Sequence, residues 1–472
     1  MKYINEKLEE FNTFLQGKNI AIIGLGVSNT PLLEYLYNLK ANVTIFDKRT
    51  RENIDSSLLE RVEHYKMQTS LREDYLKGLV GFDIIFRSPS CMPTLPEIQK
   101  EIERGAVLTT EIEMVLELCP GKIIGVTGSD GKTTTTSLIY QIIKEKGYNC
   151  YLGGNIGTPI FTELKNMTPE NVVVLELSSF QLMNMKISPN VAVITNVTPN
   201  HLDIHSSYDE YVDAKTNIFK SQKLEDTLVL NYDNDITKSF AKVGVDALGN
   251  PSKIIYFSSK TKLENGYIVD DGIIKLSENG VRRHLIDTKE LLLKGEHNFE
   301  NICAALAATK DLVDIDTQIK AVKEFKGVEH RIEYIRQIDG VTWYNDSVAS
   351  SPTRTIVALN SFKEKVILIA GGYDKHLEYE PLAKPIVDNV STLILLGQTA
   401  EKIEKATKRE LNKQNKDLPI YRCSSLEECI EVAKKVAKEG DTVILSPASA
   451  SFDMFKNAVE RGLIFKNIVN SL

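Results

Sequence analysis

The sequence predicts an α/β protein made of three units in series, and three observations carry this reading. Residues 19–47 follow a strand, glycine turn, helix, strand pattern. Residues 122–137, KIIGVTGSDGKTTTTS, run from a strand through a glycine loop into a helix. From Val341 onward, apolar strands alternate with helical segments. Each pattern is that of a largely parallel sheet crossed by helices. At 472 residues the chain is too long for one hydrophobic core, so two to four domains are expected.

Bulk composition narrows the function classes. Hydrophobic residues make up 42% of the chain and charged residues 26%, ordinary for a soluble globular protein. The 57 basic and 64 acidic residues leave a net charge of −7. That argues against nonspecific binding to nucleic acid or an anionic membrane. Six scattered cysteines form no C-x-x-C pair, so neither a zinc site nor a redox pair is signalled. The start, MKYINEKLEEFNTF, lacks the apolar core of a signal peptide, and no apolar run reaches membrane-spanning length. A cytoplasmic protein with no membrane insertion is expected, acting as a monomer.

In the first unit, NIAIIGLGVSN gives a buried strand ending in Gly24, Leu25, Gly26, Val27, Ser28 and Asn29. A helix follows, with Pro31 suited to its first turn. The strand NVTIFD then ends in Asp47. An acid at this point can meet a ribose or base, as in dinucleotide folds. Asn29 in place of a third glycine weakens a nicotinamide reading. What stands is that Gly24 and Gly26 let backbone approach a phosphate at a helix N-terminus. The strand FDIIFRSPS ends in a polar turn holding Ser88, on the side where open α/β sheets bind ligands.

The middle unit opens on the phosphate loop. Thr127-Gly128-Ser129-Asp130-Gly131-Lys132-Thr133-Thr134 offers loop N–H groups, a mobile cation in Lys132 and a Thr133 hydroxyl for Mg²⁺. The usual G-x-x-x-x-G-K-[ST] spacing would put a glycine at 126, where Val126 stands, so the loop is a variant. Residues 153–157 read as a glycine-rich turn carrying Asn155. Glu176 falls within an apolar strand, where a carboxylate is costly unless it meets a cation such as Mg²⁺. The strand VAVIT leads to His201, Asp203 and His205. His201 sits just past a strand end and is the functional candidate, whereas His205 reads as a surface residue. Residues 208–219 form a helix carrying Lys215. A β-rich flank follows, with a hairpin turn at Asp271-Gly272. The helix over residues 294–310 puts Asn298 and Asn301 on one face, able to read an adenine edge or hold a phosphate.

The last third begins at FKGVEHRIEYI, read as a linker carrying His330 and Arg331, expected to hinge at residues 325–329. Strands at 341–347, 366–376, 392–398, 418–423 and 442–453 then alternate with helices. Their ends carry Asp346, Asp374, Lys375 and the Ser446–Ser451 segment.

In this order TGSDGKTTTT, GGNIG, LELSSFQL, TNVTPNHLD, the DAK lysine, GEHNFEN, EHRIE, NDS, GGYDKH and SPASASFDMF together resemble the Mur ligase family over nearly the whole chain. The resemblance implies an N-terminal Rossmann-like domain for a uridine nucleotide (1–112), a central P-loop ATPase domain (113–326) and a C-terminal Rossmann-like domain for an amino acid (327–472). It implies an enzyme that joins D-glutamate to UDP-N-acetylmuramoyl-L-alanine at the cost of ATP, through an acyl phosphate. A nicotinamide oxidoreductase built on the first unit would leave the phosphate loop, Glu176 and His201 without a role. A P-loop switch protein would leave the C-terminal unit without one.

Residue by residue, the resemblance implies that Gly128, Ser129, Asp130, Gly131, Lys132, Thr133 and Thr134 cradle the phosphates of ATP. Asn298, Asn301, Arg331 and Asp346 contact its nucleotide. Thr133 and Glu176 would bind one Mg²⁺. His201 and Lys215 would bind a second, with Lys215 as its carbamate, because a bare ammonium cannot ligate a metal. Lys132, His201 and Lys215 are the implied catalytic set. Gly24, Gly26, Val27, Ser28, Asn29, Asp47, Ser88 and Asn155 would contact the uridine substrate, and Lys375 and Ser451 the glutamate carboxylates. Val348, Tyr373 and Ala458 differ from residues found in some relatives, and none of them is a phosphate or metal group.

Overall fold

The computed structural model describes residues 3–199, 205, 207–243, 253–293 and 295–472. His201 and Asp203, singled out above, lie outside the described residues. Two units are distinguished: residues 1–286 with 300–321, and residues 287–299 with 322–472.

The first unit holds two sheets. One has five parallel strands in the order Gln68–Leu71, Asn42–Asp47, Asn19–Ile23, Ile84–Arg87, Val107–Thr109. Its middle strand, NIAII, is apolar and buried after its first residue, as a strand covered on both faces requires. The order reverses direction on either side of that strand. This places Gly24, Asp47 and Ser88 at neighbouring strand ends, the switch-point geometry of open α/β sheets.

The second sheet has nine strands, in the order Val281–Asp287, Ile273–Glu278, Gly266–Asp270, Lys253–Ser258, Thr227–Asn231, Val191–Ile194, Lys122–Thr127, Val172–Glu176, Cys150–Gly154. From Lys253–Ser258 to Cys150–Gly154 every pairing is parallel. The flank carries the expected two-residue hairpin: Asp270 pairs with Ile273, and Asp271 and Gly272 both have positive φ, as this turn type requires. Val126, at the position where a first loop glycine was looked for, is fully buried between Glu176 and Val193. It is a core strand residue, and the loop opens two residues later. Gly153 and Gly154, read as part of a turn, are the end of an edge strand instead. The turn starts at Asn155, because Gly154 packs flat on the Glu176 backbone.

The second unit is a six-stranded sheet in the order Glu333–Ile338, Val341–Asn345, Thr442–Leu445, Val366–Gly371, Val390–Leu396, Ile420–Arg422. Only its first pair is antiparallel. Helices Pro352–Leu359, Glu380–Asn389, Ala400–Gln414, Leu426–Val436 and Ala458–Ser471 pack on two apolar clusters, one built around Leu368 and Leu395, the other around Trp343 and Phe465. The segment read as a linker, residues 325–335, runs into the strand Glu333–Ile338. Its first residue is a buried glutamate, held by the Asn345 amide and Lys466, so the strand does not begin as an apolar run. All six cysteines are free thiols. Among the described residues no helix is long and apolar enough to cross a membrane.

Candidate functional site

The strand Lys122–Thr127 delivers the glycine loop and the helix Lys132–Glu145 continues from it. Gly128 and Gly131 both have positive φ, and a Cβ at either would collide, with Thr195 Oγ1 and with Asn301 Oδ1 respectively. The loop is held from behind. Asn196 O accepts from Ser129 N at 2.9 Å, and Asn196 Oδ1 accepts from Asp130 N at 2.9 Å. Ser129 Oγ lies 2.8 Å from the Tyr211 hydroxyl.

Two lysine amino groups converge on one loop oxygen. Lys132 Nζ donates to Gly128 O at 2.8 Å and to Ser129 O at 2.8 Å. Lys215 Nζ donates to the same Gly128 O at 2.8 Å. Lys215 is only 1% exposed and lies over the Tyr211 ring, its neighbour one turn back on helix Tyr208–Thr216. Burial, and then the Lys132 charge, push its pKa well below the ordinary lysine value against the pull of Asp130. A neutral amine is the reactive form for carbamate formation. Beside this loop in the sheet, Glu176 is 1% exposed. Its Oε1 accepts from Asn155 Nδ2 at 2.8 Å, while its Oε2 is buried without a partner among the described residues. A desolvated carboxylate oxygen of this kind suits a cation. Thr133 is half-buried at the helix start and Thr134 buried behind it. Asn301, also buried, accepts from Thr135 Oγ1 at 3.2 Å and backs Gly131.

The first glycine loop is built differently. Gly24 has positive φ, and a Cβ there would approach Ser88 Oγ to 2.7 Å. Gly26 and Val27 are exposed and Ser28 half-buried. Asn29 is fully buried, and its amide donates to Ile23 O at 3.2 Å and Gly24 O at 3.0 Å. Asp47 accepts from Leu25 N at 2.8 Å and from Arg49 Nη2 at 2.7 Å and Nε at 2.9 Å. Burial raises the pKa of Asp47, but these hydrogen bonds outweigh it and hold the carboxyl below its ordinary value.

In the second unit, Asn298 is buried and Arg331 exposed. Asp346 is buried at the end of Val341–Asn345, accepting from Ser446 Oγ at 2.7 Å and Ile332 N at 3.2 Å. Burial pushes its pKa up to about 7. Exposed Lys375 and buried Ser451 lie on loops joined by the Tyr373–Ala450 bridge.

Family models match all three parts of the chain: "Mur ligase MurD-like, N-terminal domain" at residues 18–110, "Mur ligase middle domain" at 126–309, and "Mur ligase, glutamate ligase domain" at 330–449. A curated UDP-N-acetylmuramoylalanine–D-glutamate ligase of Acetivibrio thermocellus is 52% identical over 471 residues, covering 99% of this chain and all of the relative. The chain belongs to the Mur ligase family. A ligase of the same name from Ruminiclostridium cellulolyticum is 46% identical over the same span. Among solved structures, a UDP-N-acetylmuramate–alanine ligase and a MurF ligase, both from Thermotoga maritima, share the fold. Each is 18% identical, with TM-scores of 0.55 and 0.53; they cover 96% and 98% of this chain, which spans 99% and 97% of theirs.

Within this Mur ligase the structure corrects one reading and adds several residues. His205 is not on the surface. It is buried, with Nε2 3.0 Å from Ser179 Oγ and its ring stacked on Phe180. Sequence reasoning missed Asn196, Tyr211, Arg49 and Arg461. Tyr211 was findable, because it precedes Lys215 by four and so shares its helix face. Buried Arg461 donates to Ser347 O, Ser449 O and Ala450 O, tying the Asp346 and Ser451 loops together.

Proposed function

We propose that this chain is an ATP-dependent ligase that adds D-glutamate to UDP-N-acetylmuramoyl-L-alanine through an acyl phosphate, in the building of peptidoglycan precursors. The observation that carries the reading is the convergence of Lys132 and Lys215 on Gly128 O. Two lysine amino groups donating to one loop carbonyl form a donor cluster beside the loop N–H groups, an arrangement that a polyphosphate takes up. The full-length likeness to D-glutamate ligases supplies the substrates.

In this reading residues 1–112 hold the uridine nucleotide, with Gly24, Gly26, Val27, Ser28, Asn29, Asp47 and Ser88, joined by Asn155. Residues 113–326 hold ATP on Gly128–Thr134, with Asn298 and Asn301, and residues 327–472 supply Arg331 and Asp346. Lys132 leaves the loop carbonyls to meet the phosphates and offsets the charge that develops as phosphate passes to the alanyl carboxylate. Glu176 Oε2, without a partner among the described residues, and the Thr133 hydroxyl would hold Mg²⁺. When bound, the ion would neutralise phosphate charge. Lys215 as an ammonium does not fit a metal, but as a carbamate it would offer oxygen, joined by His201 at a second ion. Lys375 and Ser451 bind the glutamate carboxylates and so orient the amine toward the acyl phosphate.

The test is phosphate release from ATP with UDP-N-acetylmuramoyl-L-alanine and a panel of L- and D-amino acids. Release that depends on D-glutamate supports the reading. Release indifferent to both acceptors sinks it, and preference for another amino acid moves the chain to a different ligase of the family.

A further inference from the structure

Lys375 is exposed in a neighbourhood of carboxylates, yet among the described residues none pairs with it. Asp374, next to it, is taken by Lys402 at 2.5 Å and accepts from His376 N at 2.8 Å. Asp453 accepts from Gln398 N at 3.2 Å. The Lys375 ammonium lies instead over the face of Phe452, 5.3 Å from the ring centroid. Phe452 is 58% exposed, and Tyr373 meets it edge-on at 5.9 Å and 74°. The two aromatic residues come from two loops that are fixed to each other: Tyr373 N donates to Ala450 O at 2.9 Å, and Gly371 N to Pro447 O at 2.8 Å. Ser451 directly precedes Phe452.

We propose that Phe452, braced by Tyr373, is a positioning and specificity residue for the acidic amino acid. This rests on the assignment of Lys375 to the glutamate carboxylate. A lysine stem is flexible and its head strongly hydrated. A ring face attracts the ammonium without neutralising it, so the N–H donors remain available to a carboxylate. A carboxylate partner would hold the lysine equally well but would compete with the substrate. The exposed remainder of the ring offers apolar surface to the methylene groups between the two carboxylates of glutamate. The ligand class is therefore a short α-amino dicarboxylic acid, with the aromatic shelf acting through Lys375.

Steady-state kinetics of Phe452→Leu and Phe452→Trp against wild type test this. Leucine keeps apolar bulk and loses the ring face; tryptophan keeps the face. The KM for D-glutamate is expected to rise about two- to fivefold in Phe452→Leu and to stay near wild type in Phe452→Trp. The KM for ATP and the melting temperature should hold in both, since the ring is mostly exposed. Tyr373→Ala should raise the same KM by less. An unchanged KM in Phe452→Leu, or an equal rise in Phe452→Trp, overturns the shelf while the ligase reading stands. A wild-type enzyme whose turnover ignores D-glutamate overturns both.

Discussion

The Gly24 loop and the Gly128 loop both leave the C-terminal end of a parallel strand and enter a helix, yet their polar groups are balanced in opposite ways. In the first, Asn29 ties two loop carbonyls and Asp47 is occupied by Arg49 and Leu25 N. The turn keeps its shape with its own side chains. In the second, Asn196 and Tyr211 hold the frame from behind, while two lysine amino groups meet on one carbonyl and, among the described residues, Glu176 Oε2 has no hydrogen-bond partner. A loop tied by its own side chains is a platform that a ligand rests on. A loop on which two lysines converge offers its ligand a cluster of donors.

The comparison is broken or sharpened first at Lys132. Lys132→Met should lower ATP-dependent turnover by about 10²–10³-fold, the scale of losing one preorganised charge from such a site, while its melting temperature holds. A rate loss below tenfold would mean that Lys132 is not a preorganised charge for the phosphates. Lys215→Ala should also lose most activity, and small carboxylates added to the assay should restore part of it. Full activity without the lysine rules out the carbamate role.

Smaller effects are expected at the first loop, and on stability. Asn29→Ala should cost about 1 kcal/mol in denaturant unfolding, since two carbonyls lose a donor while Oδ1, without a partner among the described residues, is removed with it. No loss would show that the turn is held by its glycines alone. Arg49→Ala should cost less than about 1 kcal/mol, the pair being partly exposed. Its pH dependence has a definite sign. The folded pKa of Asp47 lies below its ordinary value. The stabilisation is therefore present above the ordinary aspartate pKa and lost as pH falls through the folded value. Wild-type and variant stabilities should differ at neutral pH and converge as pH falls through the folded value; a constant offset would contradict the assignment.

Much of the fold was legible because its signals are local. Gly128, Gly131 and Lys132 announce their loop, Asp271-Gly272 its hairpin, and the apolar strands 366–371 and 390–396 a parallel sheet. What escaped depends on partners distant in sequence. Glu333 hid a strand, because its charge is compensated by Asn345 and Lys466. His205 passed for a surface residue, because Ser179 and Phe180 bury it from another segment. The residue pattern alone left Lys215 ordinary, and the family resemblance singled it out; folding sets it on Gly128 O, 87 residues away. The meeting of two lysines that marks the site is a tertiary fact assembled from residue types each unremarkable alone.

The central claim is that Lys132 and Lys215 crowd Gly128 O because a nucleotide polyphosphate belongs there. Calorimetric titration of ADP with Mg²⁺ into wild type and Lys132→Met tests it most directly. The account predicts one nucleotide bound per wild-type chain and at least about tenfold weaker binding to the variant, a difference of about 1.4 kcal/mol. Equal affinity for the two proteins would contradict it.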